Sequence, residues 1–154
     1  MSCWRQQALI EAPVETIWTL IGDPRRHPAW WPGVIEVDGL PRVELDATYR
    51  QVTRSPMGKM TTTFQIDELA ELEEIRVRCT DTGMYARWLL TPAQDGTFAD
   101  LETGMEPNAL RFRIMDATVG KRFFRRLTES ALDGLRQAAA PRQGAGQTDD
   151  RSAA

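Results

Sequence analysis

His27 is the only histidine in the chain, and an imidazole is the side chain best suited to move a proton near neutral pH. It follows Arg25-Arg26 and precedes Pro28, with no carboxylate placed by sequence to orient it, so an exposed loop residue is expected there. A lone imidazole excludes any site that needs two. Trp30 and Trp31 come next; an indole joins a large flat surface to one N–H donor and can stack on a planar ligand. Tyr49, Arg50, Tyr85 and Arg87 are donors suited to stabilising charge that develops on a substrate oxygen. Asp67-Glu68, Glu71 and Glu73-Glu74 surround a predicted turn and read as a solvated rim. Cys3 and Cys79 are the only cysteines, too few for a disulfide scaffold and without zinc-ligand spacing, and are expected to be reduced. No paired-carboxylate site, nucleophile elbow or phosphate loop occurs. Neither a metal nor a cofactor is expected, and no catalytic residue stands out.

The elements that must position these side chains follow from hydrophobic period. Trp4, Ala8 and Ile10 alternate with polar residues, which predicts a half-buried strand. Pro13 suits a helix start, and Val14, Ile17, Trp18 and Ile21 share a helical face. Gly22-Asp23-Pro24 ends that helix, and Asp23 can cap a second short one. The stretch from His27 to Gly33, with two prolines, cannot be regular for long. Six strands are predicted after it, over 34–38, 48–54, 59–69, 74–81, 84–91 and 98–105, with short turns that favour antiparallel hairpins. Within them Met60, Thr62, Phe64 and Ile66 share a face, as do Met84, Ala86, Trp88 and Leu90. Tyr85 and Arg87, of opposite parity to Trp88, are expected to face outward, as are Asp100 and Glu102. The parity of 48–54 is ambiguous, because Tyr49 and Val52 fall on opposite sides. After Pro107-Asn108 the period turns helical: Phe112, Met115, Val119, Phe123, Leu127, Ala131, Leu135 and Ala138 step by three or four, a helix about 40 Å long.

With 154 residues, 42% of them hydrophobic and 27% charged, the chain is expected to form one globular domain over 1–140, followed by a disordered Gly/Gln/Ala/Asp-rich tail over 141–154. No window approaches about 18 consecutive apolar residues, and residues 1–5 lack a secretory pattern, so a cytoplasmic protein without integral membrane association is expected. Of the 19 basic residues 17 are arginine, which we read as the signature of a GC-rich bacterial genome. The net charge of −3 argues against nucleic acid as partner, yet it is unevenly spread: −7 over residues 1–110 and +4 over 111–140. The positive part is largely Lys121, Arg122, Arg125 and Arg126. These are expected to line the solvent face of the last helix and to pair with carboxylates at the sheet edge.

The order strand, short helices, six strands and long helix resembles the START-like, or SRPBCC, helix-grip superfamily and its polyketide cyclase/dehydrase branch. Residues 10–24 (IEAPVETIWTLIGDP) are similar to that superfamily's first strand-to-helix passage, 27–34 (HPAWWPGV) to its tryptophan–proline loop, and 88–97 (WLLTPAQDGT) to its late hairpin. The resemblance implies an α+β fold in which a curved antiparallel sheet of about seven strands wraps around a long C-terminal helix. It also implies that one tryptophan of the loop packs structurally beneath it. Between sheet and helix it implies a cavity, which the residue pattern would line with Met60, Phe64, Val77, Trp88, Leu90, Leu101, Met115, Val119 and Phe123; the same residues would equally serve a fully packed core. Thr62 and Thr103 would be its polar points, and Trp30 would reach the ligand. The expected partner is a small hydrophobic molecule such as a lipid or polyketide. Cyclase/dehydrase-type catalysis, in which an inward Arg or Tyr holds an enolate, and a protein-interaction role are the alternatives. Monomer and homodimer are both open.

Overall fold

The computed structural model describes residues 3–106 and 110–141, and, within the last helix, side chains from Gly120 onward. The expected tail therefore lies outside the described residues except for Pro141, as do the side chains of Met115 and Val119. Seven strands form one sheet: β1 (Cys3–Ile10), β2 (Val34–Asp38), β3 (Thr48–Ser55), β4 (Gly58–Ala70), β5 (Glu74–Cys79), β6 (Met84–Ala93) and β7 (Gly96–Met105). Three helices, α1 (Val14–Ile21), the single turn α2 (His27–Trp30) and α3 (Leu110–Ala139), complete the order, with a 3-10 turn at Pro24–Arg26 between the first two. Asp23 caps that turn, its carboxylate accepting from the Arg25 amide at 3.0 Å.

Every neighbouring pair of strands is antiparallel, in the order β1-β7-β6-β5-β4-β3-β2. Antiparallel sheets cover one face and leave the other to water, and the alternation along each strand selects the covered face here. Ile66, Ile75, Val77, Cys79, Ala86, Trp88, Ala99 and Leu101 are all buried on it. Register shifts at Val34/Glu36 and Ile66/Glu68 bend the sheet locally. This is the helix-grip arrangement expected from the element order: a seven-stranded antiparallel sheet, short helices after the first strand, and one long terminal helix.

The buried face of α3 differs from the one the apolar spacing predicted. Gly120, Phe124, Thr128, Ala131, Leu132, Leu135 and Ala139 are buried, while Phe123 and Ala138 are exposed. The helix is turned by about one residue from its apolar stripe, and Thr128, which that stripe omits, is a core position. Its Oγ1 lies 2.8 Å from the Thr103 Oγ1 of β7, and the Thr103 hydroxyl also reaches the Phe124 carbonyl at 3.2 Å. A buried hydroxyl with such partners costs little, so a threonine serves where a leucine was expected. Through these residues α3 packs on β1 and β7 and reaches α1 and α2.

Candidate functional site

The last carbonyls of a helix have no partner within it and must find one elsewhere. At the end of α1 those of Leu20 and Ile21 are met by two side chains of α2. The Trp30 indole N–H donates to the Leu20 oxygen at 2.9 Å, and His27 Nε2 lies 3.1 Å from the Ile21 oxygen. Residues three apart on one helical turn point the same way, so the spacing of His27 and Trp30 suits this double cap. The expectation that His27 is an exposed loop residue is thereby overturned: it is 1% exposed. Arg25 and Arg26 face solvent, but the passage from 3-10 turn to α2 rotates the next side chain inward. Because a carbonyl only accepts, Nε2 carries the proton, and Nδ1 is the acceptor of the neutral ring. Burial drives the His27 pKa down to about 4, against smaller opposing contributions from the Ile21 hydrogen bond and the Asp23 charge.

Around this cap stands a group of aromatic rings. Trp30 and Trp31 stack at 5.4 Å between centroids, and both meet Trp88 of β6 edge-on, at 5.9 and 5.7 Å. His27 lies 5.0 Å from Trp31. On the far side of Trp31, between the sheet and α3, is a mostly apolar cavity of about 60 Å³. Its wall is made of His27, Trp31 and Pro32 from the loop, Val34 of β2, Gln51 and Thr53 of β3, Phe64, Val77, Met84 and Ala86 from β4 to β6, Leu127 of α3, and Tyr85 of β6, whose hydroxyl turns away to Glu102.

Of the residues expected to line a ligand cavity, Phe64 and Val77 border this one. Trp30, Thr62, Trp88, Leu90, Leu101 and Thr103 are buried in the core around it; the Trp30 N–H is committed to Leu20 and the Thr103 hydroxyl to α3. Met60 and Phe123 do not point inward: they are 44% and 46% exposed. Met60 has the inward parity, but β4 there runs past the end of β5, whose pairing begins at Phe64, and Phe123 is displaced by the rotation of α3. The inward members of β3 are Tyr49 and Gln51, with Thr53 beside the cavity. Residue order named Tyr49 as a candidate donor but left this face undecided and did not single out Gln51 or Thr53, because Val52, the most apolar residue of that strand, lies on the opposite face.

Tyr49 is 2% exposed and stacks on Phe64 at 5.8 Å. Its hydroxyl and the indole N–H of Trp88 are the two buried side-chain polar atoms without a hydrogen-bond partner among the described residues. Burial, with a smaller contribution from Cys79, raises the Tyr49 pKa far above the usual phenol range, so its hydroxyl is a permanent donor. Gln51 donates to Thr53 Oγ1 at 3.1 Å. No carboxylate, lysine or arginine side chain is among the residues that line the cavity.

Charge is concentrated on the opposite face of the sheet. Arg76 and Arg78 grip Asp67, Arg76 also bonds Glu106, Arg87 bonds Glu74, and Arg5 holds Asp100 at 2.8 Å. The Tyr85 hydroxyl donates to Glu102 at 3.0 Å, and Arg76 lies over the Tyr85 ring. Tyr85 and Arg87 thus face outward, as their parity predicted. Among the described residues, the α3 cations form no ion pair with a sheet carboxylate. The ion pair of α3 among the described residues is Arg125 with Glu129 of the same helix, and Arg125 also lies 5.5 Å over the Trp4 ring. The carboxylates project from the outer face while α3 covers the inner one, and neighbouring strands offer them arginines at closer range.

The protein-family model for polyketide cyclase / dehydrase and lipid transport matches residues 1–140. A search of curated proteins finds no match. Among solved structures, the chain is similar to the Thermus thermophilus protein TTHA0849, with a TM-score of 0.71 and 20% identity over 89% of this chain and 96% of that one. It is also similar to the di-domain ARO/CYC StfQ of the steffimycin biosynthetic pathway (TM-score 0.65, 18% identity, 99% of this chain), of which it spans 52%. A third is the di-domain ARO/CYC BexL of the BE-7585A biosynthetic pathway (TM-score 0.67, 20% identity, 91% of this chain and 50% of that one). These structural likenesses carry the fold; the family match over 140 residues carries membership. The chain belongs to the polyketide cyclase/dehydrase and lipid transport family.

Proposed function

We propose that the protein binds a small, mostly apolar molecule bearing at least one hydrogen-bond acceptor, in the cavity between the inner face of the sheet and α3. The observation that carries this is the Tyr49 hydroxyl, buried, protonated and without a partner, on a ring stacked against Phe64, which does line the cavity. A buried donor left unpaired costs about 1–3 kcal/mol, and a carbonyl or ether oxygen on a bound molecule would recover that. The Trp88 N–H is a second donor of the same kind. With no charged side chain in the lining, the bound part of the ligand is neutral. The cavity holds about two water molecules' share of liquid volume, so a larger guest has to displace wall residues, and the half-buried Val34, Met84 and Leu127 are the ones free to yield.

Cyclase-type catalysis, the activity class suggested by the ARO/CYC neighbours, would use Tyr49 to hold an enolate oxygen. Binding is favoured over it because the lining holds neither a guanidinium nor a carboxylate, and Tyr49 stands behind the lining residue Phe64 rather than in the wall itself. Two measurements test the proposal. Native mass spectrometry of the protein purified from its own host should show a co-purified neutral compound. Tyr49→Phe should leave stability unchanged or raise it by about 1 kcal/mol, since an unpaired hydroxyl is removed from the core, while weakening binding of the eluted compound about tenfold. An apo mass together with undiminished affinity in Tyr49→Phe for apolar carbonyl compounds overturns the reading.

A further inference from the structure

The hairpin joining β3 and β4 extends well past β5 on one side and, with its tip alone, past β2 on the other. On one side the contact with β2 ends where the Arg54 amide meets the Gly33 carbonyl. On the other, pairing with β5 ends at Thr63, whose carbonyl accepts from the Thr80 amide. Beyond these points only Ser55↔Gly58 and the turn are free on both sides; next to them β4 presents an open edge while β3 stays backed by β2 as far as Thr53. From Gly58 to Thr62 that open edge of β4 is about 15 Å long. The turn of this ribbon, Pro56-Met57, is held by the Ser55 hydroxyl, which donates to the Gly58 carbonyl at 2.8 Å and accepts from the Met57 amide at 3.2 Å. Gly58 supplies the positive φ of 111°. The result is a braced tip that holds Met57 out at 99% exposure, with Met60 at 44% behind it.

Two features of this ribbon have no use within the chain. A fully exposed methionine at a braced tip forgoes the burial its apolar side chain would gain elsewhere. Arg54 and Lys59 stand directly opposite each other across the strands, and like charges so placed destabilise a hairpin unless an anion lies between or before them. Neither forms an ion pair among the described residues, and no acidic residue occurs between Asp46 and Asp67, in a chain that is otherwise acidic up to residue 110.

We infer that this β3–β4 ribbon docks the protein on an anionic lipid surface, with Met57 and Met60 entering the headgroup boundary and Arg54 and Lys59 meeting the phosphates. An apolar tip directly followed by cations is the pattern that such a surface selects. A two-stranded tip is also too narrow for the roughly 800 Å² per partner of a stable protein interface. Thr53, which pairs with Met60 at the foot of the ribbon, lines the cavity, so docking would bring the cavity end of the sheet toward the bilayer. Docking does not depend on what the cavity binds, and the two readings fail separately.

Vesicle flotation tests it, with phosphatidylcholine alone and phosphatidylcholine mixed with phosphatidylglycerol. The protein should float with the mixed vesicles at low ionic strength, not with the neutral ones, and binding should weaken as salt screens the cations. Met57→Ser should reduce binding at least tenfold. Arg54→Gln with Lys59→Gln should reduce it about fivefold per cation, while thermal melting stays at or slightly above that of the parent protein, which separates lost docking from lost folding. The inference is overturned if nothing floats with mixed vesicles, or if these variants bind as the parent does. It is equally overturned if binding is lost only on changing the α3 patch at Phe123 and Arg126, or if the ribbon captures an acidic protein without binding vesicles.

Discussion

Lowering the pH from 7 to 4 should cost the native state about 3 kcal/mol through His27 alone. In the folded protein its pKa is about 4, held there chiefly by burial; in the unfolded chain it returns to about 6.5. Between those values the unfolded chain binds a proton that the native state does not, so stability falls as pH falls. The contribution is complete above about pH 6.5, declines through the window down to 4, and is flat below it. Protonation would also place a cation, with no carboxylate among its neighbours in the cavity wall, beside Trp31. Because the chain has one histidine, a single imidazole resonance reports the titration by NMR without assignment, and its midpoint should lie near 4. Urea unfolding at pH 7 and pH 4.5 should show the loss, and His27→Gln should flatten that slope whatever it does to stability at pH 7. The carboxyl of Asp23 is also held low in the fold: burial opposes this, but hydrogen bonds from Arg25 prevail. Its contribution has the same sign but lies at lower pH and survives in His27→Gln. A midpoint at 6 or above would show that the ring is hydrated and the α1 cap open.

Replacing Gly134 by alanine should destabilise the protein by about 2 kcal/mol and lower Tm by about 6 °C. Sequence alone points the other way: a glycine inside a helix costs about 1 kcal/mol relative to alanine, so the exchange would be chosen as stabilising. Tertiary structure reverses the sign. A Cβ at Gly134 would stand 2.5 Å from the Trp30 carbonyl oxygen and 2.8 Å from Pro32 Cδ, and neither backbone nor proline ring can swing aside. The close approach brings α3 against the tryptophan–proline loop, whose residues both cap α1 and wall the cavity. A methyl group here would push that loop and the helix apart. A rise in Tm for Gly134→Ala would show that the two do not meet so closely.

Much of this protein is legible in its residue order. Strand positions follow from period-two alternation because side chains project to opposite faces of a pleated strand whatever lies beyond. So the six strands after Gly33 begin and end within two residues of their predicted limits. The same local rule sent Tyr85 and Arg87 outward. The family, too, is written in local text, since the strand-to-helix passage and the late hairpin are structural signatures.

What residue order left open depends on contacts between distant elements. The inward face of β3 is Tyr49 and Gln51 rather than Val52, because only the pairing with Phe64 and Thr62 decides which side meets the core. Thr128 entered the core of α3 because Thr103, 25 residues away, supplies its hydroxyl with a partner. His27 changed from an exposed loop residue to a buried cap because the carbonyl of Ile21 needed a donor that the helix itself cannot provide. Local sequence determines where a strand or helix lies and which residues could face inward. Whether a polar group is buried, and with whom, is settled only when the fold brings its partner, since an unpaired polar atom is expensive and a paired one is not.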